Sequence, residues 1–205
     1  MTAVGHTGHV NPHAALHRTR AELEASLGEL DAAPKDEGQL ELVVARPASG
    51  ERAILDEGLL HRDVGLVGDV WHEDVSSRAQ SSDRDRLMQI TVMSARMVRI
   101  LAGDDVNRQA LAGDQLYVDL DLSHESLPAG SRLVFGDPSA RGAVIEVNEE
   151  PHTGCASFVE RFGADAMRFV NGREGRARRL RGLHAVVVQA GAVRPGDPVK
   201  VVRPG

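Results

Sequence analysis

The chain has 205 residues, a formal net charge of −6 and only 3% aromatic residues, and a negative chain with few rings to stack bases on excludes non-specific nucleic-acid binding. A hydrophobic content of 41% supports one sizeable core, which without aromatics must be built from Val, Leu, Ile and Ala. No apolar run approaches membrane-spanning length and the N-terminus carries no secretory apolar segment; with a single cysteine, this gives the expectation of a cytoplasmic protein with no membrane partner.

Residues 1–12 are polar and contain several Gly and His. From His13 to Leu30, Leu16, Leu23, Leu27 and Leu30 recur at helical spacing on a charged background, which predicts an amphipathic helix. Pro34 follows, and Lys35-Asp36-Glu37-Gly38 reads as a linker. Residues 1–38 are therefore expected to form a tail, helix and linker, set apart from a main domain of residues 39–205. The leucine stripe needs a surface to cover it, either that domain or a second copy, which would make a homodimer. His9, His13 and His17 share i, i+4 spacing, but no cysteine or second histidine cluster completes a tetrahedral zinc set nearby, so surface histidines are expected.

From Leu40 onward the pattern changes to short β-like runs split by Gly, Pro and Asp. Gln39–Ala45, Leu116–Leu120, Arg132–Phe135 and Ala143–Val147 are such runs, and Ala185–Val188 and Val199–Val202 close the chain around Gly191 and Gly196-Asp197. Helical stripes are fewer. Ser94 caps a predicted helix through Met97, Val98 and Leu101 that stops at Gly103, and Phe158, Phe162 and Phe169 mark another, broken at Gly163. The predicted fold class is mainly β with helices (α+β), a β-barrel rather than an alternating βαβ array.

Cys155 stands where the Ala143–Val147 strand gives way to the phenylalanine-marked helix, in the segment Pro151-His152-Thr153-Gly154-Cys155. A lone thiol has no internal disulfide partner. Two readings stand: a buried, inert cysteine, or a nucleophile or ligand whose thiolate is favoured by unpaired N–H groups at a helix N-terminus. Downstream, Arg173, Arg176, Arg178, Arg179 and Arg181 crowd together after an Asn171-Gly172 turn signal. They read either as a solvated charged face or as loop arginines that grip a phosphate. There is no P-loop, dinucleotide fingerprint or nucleophile elbow.

The order of these segments resembles the MOSC domain, the module named after the C-terminal part of molybdenum cofactor sulfurase. Gly65-Leu66-Val67-Gly68-Asp69-Val70-Trp71-His72 is similar to the family's early Gly-Asp-x-x-His segment. The strand Gly130–Gly136 and the strand Ala143–Val147 leading to Cys155 are similar to its cysteine region, and Arg181-Gly182-Leu183-His184-Ala185-Val186-Val187 with Gly191 and Gly196-Asp197 to its closing hairpin. The family's commonest pattern places Pro directly before the cysteine; here Gly154 holds that place.

The resemblance spans about residues 40–203 and implies a MOSC-type barrel that binds molybdenum cofactor. It implies Cys155 as the molybdenum ligand, a soft thiolate suiting a soft metal centre, with His152 in the same loop as a proton shuttle or hydrogen-bond donor, or else a solvated histidine. Thr153, Arg179, Arg181, Asp69 and His72 would border the cofactor. The implied activity is that of an oxidoreductase removing oxygen from N-hydroxylated small molecules. A single cysteine cannot hold an iron–sulfur cluster, so a separate electron-transfer protein would supply electrons. The alternatives are a carrier that hands the cofactor, or cysteine-bound sulfur, to an acceptor protein, and a barrel used only for protein interaction.

Overall fold

The computed structural model describes residues 17–77, 82–136 and 142–205, so His9, His13 and Leu16 lie outside the described residues. In chain order the strands are β1 (Glu37–Ala45), β2 (Ala53–Ile54), β3 (Gly58–His61), β4 (Gly65–Leu66), β5 (Ile90–Ser94), β6 (Leu116–Asp119), β7 (Arg132–Phe135), β8 (Val144–Val147), β9 (Leu183–Gln189), β10 (Gly191–Val193) and β11 (Pro198–Val202). The helices are α1 (Arg20–Ala25), α2 (Leu27–Asp31), α3 (Trp71–Ser77), α4 (Asp83–Leu87), α5 (Ala95–Ala102), α6 (Val106–Ala110), α7 (Ala156–Asn171) and α8 (Arg173–Ala177).

Seven strands run in the order β11-β7-β8-β9-β5-β6-β1, and β1 pairs back onto β11 through Glu37 and Lys200 to close a barrel. Closure leaves no free edge on these strands. Only β5 and β6 run parallel within the barrel, and a parallel pair needs a crossover; α5 and α6 supply it. A smaller sheet, β10-β3-β4, lies alongside.

The barrel has two apolar sides. Leu40, Val43, Val118, Val92, Ile145 and Leu133 fill the interior, while Leu42, Val44, Met93 and Tyr117 face outward under the helices, among Leu23, Met97, Leu101, Phe158 and Phe162. Side-chain alternation would send Leu40 and Leu42 to one face, yet they fall on opposite ones. A register shift between Leu40 and Leu42 in the β1–β6 ladder accounts for this, because one extra residue flips every later side chain. The last four residues of β1, Leu42-Val43-Val44-Ala45, form an apolar run because Val43 and Ala45 join the interior while Leu42 and Val44 join the outer core.

The helices form where caps and stripes demand them. The Ser94 hydroxyl accepts from the Met97 N–H to start α5, and Gly103 ends it at φ 72°, a backbone angle that favours glycine. In place of one N-terminal helix there are two short ones. Thr19 and Glu22 make a capping box for α1, and the helix breaks at Ser26, whose hydroxyl donates to the Glu22 carbonyl. Leu23 and Leu30 lie in the outer core with the α7 phenylalanines. Of the expected loop arginines, Arg173 and Arg176 lie in the helix α8 and Arg178, Arg179 and Arg181 in the turn that follows it; α8 is set tightly on the end of α7, since a Cβ on Gly175 would lie 2.1 Å from the Phe169 carbonyl. Among the described residues no helix is long and apolar enough to cross a membrane.

Leu23 is fully buried, so Leu23→Ala should lower the unfolding free energy by roughly 2–4 kcal/mol. Urea denaturation checks this, and an unchanged midpoint would mean that α1 does not dock on the barrel in solution.

Candidate functional site

Cys155 is the N-cap of α7, with extended backbone (φ −119°, ψ −178°), and its side chain is exposed. Partial loss of solvent opposes ionisation of the thiol. The backbone N–H groups of Phe158 and Ser157, aided by Arg181, outweigh that penalty and hold it below the ordinary thiol range. The Gly154 departure from the family pattern has a local cause. The Gly154 N–H donates to Asn171 Oδ1 at 3.0 Å, a bond that proline cannot make, and a Cβ there would lie 2.5 Å from Met167 Sδ.

Beside the thiol opens a cavity of about 420 Å³ whose walls carry the guanidinium groups of Arg46, Arg52, Arg161 and Arg181, with Trp71, His152, Thr153, Ser157 and Phe158; Asp74 and Asp85 are its carboxylates. The arginines are held from behind. Arg46 donates to both oxygens of Asp69, each at 2.8 Å, and Asp69 also accepts from the Trp71 N–H at 3.0 Å. Arg161 donates to the Leu111 carbonyl at 2.7 Å. Arg181 donates to Asp114 at 2.6 Å and to the Ala112 carbonyl at 3.0 Å, and its guanidinium carbon lies 5.2 Å from the Phe158 ring centroid. Arg52 is held below the usual arginine range by burial and then by the neighbouring cations Arg161 and Arg46. An anion in this cavity would relieve that repulsion.

Under the cavity lies a buried polar chain. Asp114 is wholly buried; desolvation raises its pKa, and the Arg181 cation opposes the rise. His152 Nδ1 lies 3.4 Å from Asp114 Oδ1, and the His152 and His184 ring centroids are 4.5 Å apart. Burial first, then the Arg181 charge, drives His152 well below its ordinary range, and the same two causes bring His184 to about 4. Both imidazoles are therefore neutral near pH 7. The Tyr117 hydroxyl accepts from the Asp114 N–H and donates to the Gln109 carbonyl, and its burial raises its pKa.

Of the residues singled out in the sequence, Cys155, His152, Thr153 and Arg181 line this one cavity. Asp69 and His72 line a separate cleft of about 250 Å³ with Pro47 and Gly68, so Asp69 reaches the thiol pocket only through Arg46. Arg179 lines two other cavities. One of these is larger, about 480 Å³, but it lacks the cysteine, and chemistry rather than size selects the thiol pocket. Arg46, Arg52, Arg161, Asp114 and His184 escaped the sequence reading. Only Arg161 left a trace, one helical turn beyond Ser157 on the same face of α7.

The fold is shared with solved structures. YuaD from Bacillus subtilis superposes with a TM-score of 0.61 at 19% identity, covering 82% of this chain and 97% of that one. YiiM from Escherichia coli gives 0.50 at 18% identity, over 82% of this chain and 71% of that one. YiiM from Geobacillus stearothermophilus gives 0.51 at 13% identity, over 82% and 76%. At these identities the similarity establishes the seven-stranded barrel with helices, the fold class expected from the sequence. No family model matches the chain, and no curated protein matches it in sequence.

Two tests follow from the electrostatics. The pH midpoint for alkylation of Cys155 by iodoacetamide should lie below the value of about 8.5 for a free thiol, and Arg181→Gln should move it upward; no movement would remove Arg181 from the thiol's surroundings. The unfolded chain protonates a histidine near 6.5, whereas folded His184 does so only near 4. Stability from this group is thus complete above 6.5 and lost as pH falls toward 4, by roughly 3 kcal/mol. Urea midpoints measured across that window should fall more steeply for the native chain than for His184→Gln, and parallel curves would contradict the buried neutral imidazole.

Proposed function

We propose that the chain is a MOSC-type protein that binds molybdenum cofactor with the Cys155 thiolate as ligand to molybdenum, and reduces N-hydroxylated or related N-oxygenated compounds with electrons from a separate protein. The observation that carries this is a thiol held below its ordinary pKa at the edge of a cavity bearing four guanidinium groups. The cavity suits a polyanion with its own metal ligands. Arg52 Nε, Arg181 Nε and Trp71 Nε1 are buried donors without a partner among the described residues, and unpaired buried donors are costly until a ligand meets them. The volume of about 420 Å³ falls within the range of small-molecule sites. Among the described residues no three His, Cys, Asp or Glu side chains are grouped to hold a bare metal ion, so a metal here would arrive carrying ligands besides the one thiolate.

When bound, the cofactor supplies two-electron redox chemistry at a metal rich in soft sulfur ligands. The residues of this chain do the rest. Cys155 provides a ready thiolate, and Arg52 and Arg181, with Arg46 and Arg161, provide charge-assisted donors for phosphate. His152, neutral and close to Asp114, offers a single ring N–H rather than acting as a cationic acid. Converting R–NH–OH to R–NH₂ and water consumes two electrons and two protons; the electrons come from the partner protein and the protons from solvent. A second reading, a carrier of cofactor or of cysteine-bound sulfur, is favoured by the exposure of Cys155, since an acceptor protein must reach the sulfur.

Protein purified gently from a cofactor-producing host should carry near-stoichiometric molybdenum and pterin, and Cys155→Ala should lose the metal while keeping its circular dichroism. Equal molybdenum in both proteins would remove Cys155 as ligand. A wild-type protein devoid of both molybdenum and pterin would overturn the cofactor assignment.

A further inference from the structure

Across the Pro151–Thr153 segment from the thiol pocket lies another cavity, of about 260 Å³, bordered by Arg176, Arg179, Arg181, His124, Val170 and Leu183. We propose that it is a second binding site, for a small oxyanion such as phosphate or the carboxylate of an organic acid, seated on Arg179. The cavity shares His152, Thr153 and Arg181 with the thiol pocket but not Cys155, Arg46, Arg52 or Arg161, and the inference does not require the cofactor assignment.

Arg179 carries the argument. It is only 8% exposed, yet no carboxylate among the described residues lies within ion-pairing distance of it. Its Nη1 donates to the carbonyls of Leu127 at 2.6 Å and Leu122 at 3.4 Å. The other guanidinium nitrogens have no protein partner among the described residues. Neighbouring arginines are treated differently: Arg181 pairs with Asp114, and Arg178 with Asp31 and Glu174. Burial alone depresses the Arg179 pKa, with no acid to restore it. An uncompensated buried cation is costly, and a bound anion removes that cost.

The surroundings agree. His124 is depressed by loss of solvent and then by the Arg179 charge, which places the imidazole within the field of the same cation. Arg176 is exposed and adds positive charge at the border. Two carboxylates also border the cavity, Glu149 and Glu150. Glu150 is held by Arg84 at 2.6 Å, whereas Glu149 is exposed and opposes an incoming anion. That opposition supplies a second, independent handle.

Isothermal titration with sodium phosphate and, separately, sodium acetate at constant ionic strength tests the proposal on the full chain. Saturable binding of at least one probe is expected, and which one binds identifies the ligand class. Arg179→Gln should weaken it about tenfold or more, Arg179→Lys should recover part of the loss, and Arg52→Gln, a change at a residue that lines the thiol pocket and not this cavity, should leave it unchanged. Glu149→Gln, a surface change, should tighten binding, and it decides the matter if Arg179→Gln fails to fold. The proposal is overturned by absence of saturable binding of both probes, by affinity indifferent to Arg179 or to Glu149, or by loss of binding in Arg52→Gln, which would place the anion in the thiol pocket.

Discussion

The ion pair between Arg181 and Asp114 is the contact on which the rest of the site depends. Asp114 is wholly buried, and a carboxylate in that position is tolerable only with a cation against it. Breaking one side of such a pair leaves a buried charge uncompensated, a loss of about 3–5 kcal/mol. The pair fixes the Arg181 guanidinium against the Phe158 ring, one turn into the helix that Cys155 caps. From there a single charge favours the thiolate, suppresses protonation of His152 and His184, and contributes to the wall of the anion pocket. Arg181 thus adds to three features at once: to the thiolate beside the N–H groups of Phe158 and Ser157, to the neutral imidazoles beside their burial, and to the cavity wall beside Arg46, Arg52 and Arg161.

The same design recurs around the pocket. Arg46 is locked by Asp69, itself buried and tied to the Trp71 backbone, and Arg161 by a carbonyl at the end of α6. Guanidinium groups fixed in advance lose little freedom when a ligand arrives. Neutralisation behind the wall limits how much charge the empty pocket must bear, while Arg52, which lacks an ion-pair partner among the described residues, feels its cationic neighbours most. An anion would gain most from Arg52, since there the repulsion is unrelieved.

Much of the barrel could be read from the chain because its strands are bounded by Gly, Pro and Asp and its helices by recognisable caps. Arg132–Phe135 is found as expected, and α5 runs from its Ser94 cap to Gly103. Strand β5, Ile90–Ser94, was hidden because all five of its residues are buried, so no alternation marks it. In the site, Cys155, His152, Thr153 and Arg181 were legible because they sit beside one another along two short stretches of chain. Asp114 and Arg46 were not, since an Asp after Gly113 and an Arg before Pro47 look like ordinary turn chemistry; their importance comes from burial and from partners 67 and 23 residues away. Arg179 looked like a companion of Arg181, and the two do border one cavity, but only Arg181 also lines the thiol pocket.

Gly163 links fold to site in a way that neither its sequence context nor its position near the middle of α7 suggests. A straight helix of 16 residues would hold its ends about 24 Å apart, and Asn171 at its finish could never touch Gly154 just before its start. Yet the Asn171 amide oxygen takes the Gly154 N–H, and Met167 packs over the same glycine. The break at Gly163, with φ 92° and ψ 165°, lets the second half of α7 fold back over the cysteine loop. Glycine is required there twice over: for the backbone angle, and because a Cβ would lie 2.9 Å from the His17 ring. The loop's departure from a Pro-Cys pattern is thus the local signature of a nonlocal clamp, in which the eighth residue of the helix, a glycine, determines which residue can precede the thiol.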